Sequence, residues 1–171
     1  ANMHKWVYSS KTCSFLWSRQ PFSEELYQKI FNFQKNSANF EALLSINDSI
    51  DFYQEESGIG GYQKLKNHCD ETFAYAINRL TKIPGFLDQN NPEHVSTEHP
   101  ITMRPIKLDP EFQKRIGAFG AYMINFLNIE YGIIAAFTGF DNQWWIRLSC
   151  QAYTPKEDFD RLAEKMEYLL N

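Results

Sequence analysis

The sequence predicts an α/β chain whose second half is a compact α+β unit. Apolar residues recur at helical spacing in residues 62–83 and 154–170, whereas residues 101–108 and 143–150 alternate as strands do. The chain has 171 residues, of which 43% are hydrophobic and 22% are charged. This length and composition are typical of a globular protein with one ordinary hydrophobic core.

Charge and cysteine usage argue against several classes of protein. A formal net charge of −4, without a basic stripe interleaved with aromatic residues, argues against a nucleic-acid partner. The best apolar run, Tyr131 to Phe140, is far too short to cross a membrane, so no membrane partner is expected. The three cysteines, Cys13, Cys69 and Cys150, are odd in number and lack zinc-site spacing, which favours a reducing compartment such as the cytoplasm.

The first part of the chain is predicted to be a strand, a loop and a helix. Residues 13–18 are expected to form a short buried strand, and Pro21 follows it because proline cannot continue a central strand. Residues 22–40 are polar and aromatic, which indicates a loop with a helical turn. Apolar residues at close to helical spacing predict a helix over residues 40–55, and the glycine-rich residues 57–61 end it.

A long helix is predicted over residues 62–83, and Pro84-Gly85 ends it. Its apolar stripe consists of Leu65, Cys69, Phe73, Ala76, Ile77 and Leu80. The polar segment 88–100 that follows contains His94 and His99. Two histidines suit a metal site, but no third ligand is near, so a solvated loop is the better interpretation and no metal is expected.

The predicted α+β unit begins with a strand over residues 101–108. Asp109 and Pro110 suit the N-cap and first position of a helix that is expected to run to Leu127.

Two further strands and a helix complete this unit. Residues 133–137 are a β-rich apolar run, and a turn at Asp141-Asn142 leads to the strand over residues 143–150. Thr154 and Glu157 have the spacing of a capping box at the start of the last helix. The buried stripe of that helix is expected to be Phe159, Leu162, Ala163, Met166, Leu169 and Leu170.

A candidate catalytic lysine lies near the start of the chain. Residues 2–8, Asn-Met-His-Lys-Trp-Val-Tyr, place Lys5 between a histidine and a tryptophan at what is predicted to be the entrance to an apolar strand. Removal of an ammonium from water disfavours its charged form, and a neutral amine is nucleophilic enough to form a Schiff base. The alternative is an ordinary surface lysine beside aromatic residues.

A candidate binding arginine, Arg147, lies in the strand over residues 143–150. Side chains alternate along it, so Trp144, Ile146, Leu148 and Cys150 are expected to pack on the last helix, with Trp145, Arg147 and Ser149 on the other face. An arginine in so apolar a strand is expected to need an anionic partner, because an unpaired buried charge is costly. That partner is either an acidic residue of the chain or a carboxylate ligand, which the two-pronged guanidinium fits.

Both stretches resemble the class V aminotransferases, fold-type I enzymes that use pyridoxal phosphate, and within them the isopenicillin N epimerase-like branch. Residues 2–16 are similar to that branch's lysine segment, His-Lys-Trp-Leu-x-x-Pro-Lys-Gly-x-Ala-x-Leu, with Ser10 for proline and Thr12 for glycine. Residues 145–163, Trp-Ile-Arg-Leu-Ser-Cys-Gln-Ala-Tyr-Thr-Pro-x-Glu-Asp-Phe-x-Arg-Leu-Ala, are similar to the closing signature Ile-Arg-Ile-Ser-Ala-Gln-x-Tyr-Asn-x-x-Glu-Asp-Tyr-x-x-Leu-Ala.

The resemblance implies a role for five residues. Lys5 would hold pyridoxal phosphate as a Schiff base and act as the general base at the substrate's Cα. His4 would lie against the cofactor phosphate, and Asn2 stands where related enzymes carry a phosphate-contacting serine. Ser37 would belong to a loop that reaches across a homodimer interface to the partner's cofactor, although an ordinary polar loop is the alternative. Arg147 would clamp the α-carboxylate of an amino-acid substrate.

The resemblance also implies a domain organisation and an incomplete chain. Residues 1–60 would end the large cofactor domain, residues 61–85 would form a linking helix, and residues 86–171 would form a small C-terminal α+β domain. The chain would then be the C-terminal portion of a longer enzyme and inactive alone.

The implied reaction is lyase, epimerase or transferase chemistry at the Cα or Cβ of an amino acid. Desulfuration is disfavoured, because Cys69 falls in a predicted helix and Cys150 on the strand face away from Arg147. Two alternatives remain: a catalytically degenerate homologue that acts as a binding or interaction protein, and a stand-alone domain of an unrelated family. The changes at Ser10, Thr12 and Asn36, the last of which stands where the family's phosphate loop has glycine, favour degeneracy. Retention of both the lysine and the arginine favours an enzyme.

Overall fold

The computed structural model describes residues 3–10, 18–34, 40–86, 102–110, 112, 114, 120–140 and 142–170. The helices in this part of the chain are α1 (Met3–Trp6), α2 (Glu24–Gln34), α3 (Phe40–Gln54), α4 (Gly61–Leu80), α5 (Gly120–Tyr131) and α6 (Lys156–Leu170). The strands are β1 (Met103–Lys107), β2 (Ala136–Phe140) and β3 (Gln143–Ser149), which form one antiparallel sheet in the order β1-β3-β2. The fold class is therefore α+β.

The chain divides into two compact units, Ala1–Lys64 and Leu65–Asn171. The three-part division into a cofactor domain, a linking helix and a C-terminal domain stays a prediction. Residues 13–17 of the predicted N-terminal strand, together with Leu87 to Ile101, lie outside the described residues.

In the first unit, α2 is a full helix where the sequence predicts a loop with one helical turn. Leu26, Ile30 and Phe33 have helical spacing, but the surrounding polar residues favour the interpretation as a loop, and the described side chains from Glu24 to Lys29 are exposed. Side-chain contacts one turn apart add to the stability of the helix, since Glu24 accepts a hydrogen bond from Gln28 at 2.8 Å and Glu25 pairs with Lys29 at 2.6 Å.

The predicted helix over residues 40–55 is confirmed as α3, and the glycine-rich segment ends it as expected. The Ile59 amide donates a hydrogen bond to the Phe52 carbonyl at 2.9 Å, which folds the chain back on the last turn of the helix. Gly60 and Gly61 then take φ values of 77° and 81°, a left-handed conformation that favours glycine.

In the second unit, α4 and α6 pack together as the apolar stripes predict. Phe73 of α4 and Phe159 of α6 have ring centroids 6.5 Å apart, and both side chains are buried. Five of the six predicted stripe residues of α4 are buried, and Ile77 is half-buried. The buried residues of α6 are Phe159, Leu162, Ala163 and Met166.

The sheet is buried on one face only. Ile106, Ile146 and Phe137 lie in register across the three strands, and all three are buried. Leu148 and Cys150 extend this buried face along β3, which confirms the predicted alternation, while Trp144 is half-buried. The opposite face, which carries Arg147, is partly or fully exposed in every described strand residue.

The connection between α5 and β2 differs from the sequence prediction. The helix continues past Leu127 to Tyr131, and Gly132, at φ 65°, ends it. The strand begins at Ala136, so residues 133–135 of the predicted strand run outside the sheet. The predicted turn is confirmed by Asn142, whose φ of 55° is left-handed and suits an asparagine in a tight hairpin.

The start of α6 uses a different hydrogen bond from the predicted capping box. The Thr154 hydroxyl accepts a hydrogen bond from the Gln151 amide at 2.9 Å, which closes the turn that precedes the helix. Glu157 and Asp158 in the first turn interact favourably with the positive end of the helix dipole.

Candidate functional site

Lys5 lies in α1, a single turn of helix, and its side chain is exposed. The expectation that an apolar strand removes its amine from water is therefore wrong. The helix is anchored on another side, where the buried Met3 packs against Val7 and Ile46. Exposure of the residue is compatible with a Schiff base at this position.

The chain turns sharply directly after α1. Tyr8 has a φ of 61°, in the left-handed region that bulky residues seldom occupy. The Ser10 amide then donates a hydrogen bond to the Ser45 hydroxyl at 3.3 Å, which ties the turn to α3. His4 also lies in α1, whereas the other two predicted cofactor contacts, Asn2 and Ser37, lie outside the described residues.

Arg147 lies in the middle of β3 with an exposed side chain. The premise that burial makes it need an anionic partner is wrong, because its face of the sheet is not covered by a described element. Its side chain forms no hydrogen bond and no ion pair with any residue that the structure describes, whereas its backbone belongs to the sheet. Its guanidinium is therefore available to a ligand, and the structural ion pair considered as an alternative is not found among these residues.

A pocket of about 240 Å³ opens beside Arg147. Residues 132–135, the end of β3 and the first turns of α6 line it. It exists because β2 begins only at Ala136, which pairs with Arg147, while β3 continues to Ser149. The chain before Ala136 leaves the sheet edge and forms one wall.

The backbone of β3 also faces this pocket. The Cys150 amide donates a hydrogen bond to the Thr102 carbonyl at 2.9 Å, on the β1 side of the strand. Because successive residues of an antiparallel strand direct their amides to opposite sides, the Ser149 amide and carbonyl point to the β2 side, where the pocket lies.

Three charged side chains line the pocket: Arg147, Arg161 and Asp158. All three are exposed, and among the described residues none of them forms an ion pair or a side-chain hydrogen bond. The walls therefore carry two guanidinium groups and one carboxylate, a net positive set in a chain of net charge −4. Such a set attracts an anionic ligand.

Arg161 and Asp158 were not identified from the sequence as site residues. The sequence gives only a weak indication of them: each directly precedes a residue of the buried stripe of α6, Phe159 or Leu162, and so lies at the border of that stripe. A border position brings a charged side chain close to the sheet. The sequence does not reveal that the edge of the sheet is open at this point.

The two described cysteines are poor nucleophiles. Both side chains are fully buried, and the Cys69 thiol donates a hydrogen bond to the Cys150 carbonyl at 3.8 Å. Burial raises the pKa of the Cys150 thiol to about 12, and burial likewise raises the pKa of Cys69. Thiols of this kind do not accept sulfur from a substrate at neutral pH.

Neither a metal cluster nor a membrane span is found in the described part of the chain. No group of three or more His, Cys, Asp or Glu side chains there could hold a metal ion. His94 and His99 lie outside it. No described helix combines the length and the apolar character that crossing a membrane requires.

No protein-family model matches the chain, and no curated protein matches it.

Proposed function

We propose that this chain is part of a pyridoxal-phosphate-dependent enzyme of the class V aminotransferase type, isopenicillin N epimerase-like, which acts on an amino acid. Arg147 supports this proposal most directly. Its exposed guanidinium lines a pocket and forms no ion pair with a described residue. A planar pair of N–H donors held on a strand is suited to the α-carboxylate of an amino acid.

In the first unit, Lys5 is the residue that would attach the cofactor. Lys5 is an exposed residue of α1, which is compatible with its attachment to the aldehyde of pyridoxal phosphate. His4, Asn2 and Ser37 would contact the bound cofactor. When bound, pyridoxal phosphate supplies the electron sink that weakens the bonds to the substrate's Cα.

The chain's own residues would then position the substrate and move one proton. Arg147 binds the carboxylate through paired charge-assisted hydrogen bonds and so fixes how the amino acid is oriented. Lys5 Nζ takes up the proton from Cα and returns it, as a general base and acid. Return of that proton to the opposite face of Cα would give epimerisation, its return to a different atom would give transfer, and departure of a leaving group from Cβ would give elimination.

We further place the protein in the cytoplasm and assign it a homodimeric assembly with a shared active site. In this assignment residues 1–60 end a large fold-type I cofactor domain, residues 61–85 link it, and residues 86–171 form the small C-terminal domain. Desulfuration is disfavoured, because burial keeps the thiols of Cys69 and Cys150 protonated.

The experiment that tests this proposal is covalent trapping of the cofactor on the full-length protein. Pyridoxal phosphate is added, the absorption spectrum is recorded, and borohydride reduction is followed by peptide mapping. We expect a reducible absorption band and a pyridoxyl group on the peptide that contains Lys5. Lys5→Ala should lose both, whereas the control Lys82→Ala, which changes another exposed lysine, should keep them. An unchanged spectrum for Lys5→Ala contradicts the assignment.

The second candidate function is a binding protein without cofactor chemistry. It is supported by the pocket at Arg147, which is built entirely from residues of the second unit and so does not depend on Lys5. A protein that binds amino acids at Arg147, yet does not attach pyridoxal phosphate, has this function.

A further inference from the structure

We infer that the pocket beside Arg147 binds a dicarboxylic amino acid as the intact zwitterion. The α-carboxylate contacts Arg147, the side-chain carboxylate contacts Arg161, and the ammonium contacts Asp158. The inference rests on the part of the proposed function that assigns Arg147 to the substrate's carboxylate, and it adds the class of amino acid.

The charges of the pocket are the main argument. Its walls carry two guanidinium groups, from Arg147 and Arg161, and one carboxylate, from Asp158. A dicarboxylic amino acid carries the opposite set, namely two carboxylates and one ammonium group. A monocarboxylic amino acid leaves one guanidinium without a carboxylate partner. A dicarboxylate that lacks an amine leaves Asp158 without an ammonium partner.

None of the three charged side chains forms an ion pair with another described residue. Arg161 and Asp158 are three residues apart on one helix face, but they do not form an ion pair within 4.0 Å, and neither pairs with any other described residue. A ligand therefore does not have to break existing ion pairs in order to bind. Each charge-assisted hydrogen bond to the ligand therefore adds to the free energy of binding without the cost of a broken ion pair.

The size of the pocket suits a small ligand. Its volume of about 240 Å³ lies below the roughly 300–1,000 Å³ that is typical of sites for drug-sized ligands. A free amino acid is of the size that such a volume holds. The hydroxyls of Ser149 and Thr154, which also line the pocket, offer further polar contacts to carboxylate oxygens.

The first part of the test compares four ligands by calorimetry on the whole chain, without pyridoxal phosphate. L-Glutamate and L-aspartate carry all three charged groups, L-norvaline lacks the second carboxylate, and glutarate lacks the ammonium. We expect one of the two dicarboxylic amino acids to bind at least tenfold more tightly than norvaline and glutarate. Equal affinity for norvaline, or no binding of either dicarboxylic amino acid, overturns the inference.

The second part assigns each charge to its residue. Arg161→Gln should reduce glutamate affinity to that of norvaline and leave norvaline unaffected, and Asp158→Asn should abolish the advantage of glutamate over glutarate. Arg19→Gln and Asp48→Asn, which change exposed residues of the first unit, are the matched controls and should have no effect. If Arg161→Gln weakens glutamate and norvaline equally, the second carboxylate does not contact Arg161 and the inference is wrong.

This test is independent of the cofactor. Glutamate binding that persists when pyridoxal phosphate fails to attach to Lys5 contradicts the cofactor assignment and supports the pocket assignment. Attachment of pyridoxal phosphate to Lys5, with no preference for dicarboxylic amino acids, supports the cofactor assignment and contradicts the pocket assignment.

Discussion

Arg147 of β3 lies directly opposite Ala136, the first residue of β2. The ladder between these two strands therefore ends at the arginine, and the strand edge is open from Leu148 onwards. On its other side, β3 stays paired with β1 along this whole stretch, as far as Ser149 opposite Met103. A rigid strand thus presents a guanidinium at the border of a pocket, which is how a protein fixes the orientation of a bound carboxylate.

The packing of β3 gives a direct prediction for stability. Ile146 is fully buried at the centre of the sheet, next to the open face that carries Arg147. We expect Ile146→Ala to lower the free energy of unfolding by about 2–5 kcal/mol, because it leaves a cavity in the core. Urea denaturation measures this change. Ile129→Ala is the control, since Ile129 is 77% exposed, and it should have little effect; a small loss for both variants contradicts the described core.

The contact between α4 and α6 should make stability depend on pH. The Arg79 guanidinium donates a hydrogen bond to Glu167 at 2.6 Å, and this contact lowers the pKa of the Glu167 carboxyl below its ordinary value of 4.5. A carboxyl whose pKa is lower in the folded state stabilises the protein above its unfolded pKa. That contribution is lost as the pH falls through the folded pKa.

Glu167→Gln should therefore lower the melting temperature slightly at neutral pH. The difference from the unchanged protein should vanish at a pH below the folded pKa of Glu167. Melting curves followed by circular dichroism across this range measure it, with Glu164→Gln, an exposed residue of the same helix, as control. A difference that stays constant with pH contradicts a role for the ion pair.

The described thiols should resist alkylation. Because burial raises the pKa of Cys150 to about 12 and also raises that of Cys69, neither forms a thiolate at neutral pH. We expect iodoacetamide to leave both peptides unmodified in the folded chain and to modify both in denaturant, as read by mass spectrometry. Modification of Cys150 in the folded chain at the rate of an unfolded thiol would reopen desulfuration chemistry.

The sequence predicts the elements whose apolar residues face a core. The helices α3, α4 and α6 and the strand β3 follow from the spacing of residues such as Phe73, Ile146 and Phe159, all of which are buried. The helix α2 also has apolar residues at helical spacing, Leu26, Ile30 and Phe33, but their polar surroundings favour the interpretation as a loop. Contacts such as Glu25 with Lys29 add to its stability.

The site was predicted in part. Alternation along β3 places Arg147 on the face opposite Ile146, as found, but alternation cannot tell whether a layer covers that face. The burial expected for Arg147 was wrong for this reason. For Lys5, aromatic neighbours suggest a strand, whereas the packing of Met3 on Ile46 fixes one turn of helix. Arg161 joins the site only because β2 starts late, which is a property of the folded sheet.

The measurement that tests the role of Arg147 most directly is the affinity of Arg147→Lys for its amino-acid ligand, taken together with its melting temperature. Lysine keeps the charge but loses the paired donors, and one charge-assisted hydrogen bond contributes about 1.5–3 kcal/mol. We therefore expect the dissociation constant to rise about ten- to hundredfold, with the melting temperature unchanged and Arg19→Lys without effect. A fall in melting temperature that accompanies the loss of affinity, or an affinity that does not change, would contradict the assignment of Arg147 to the substrate carboxylate.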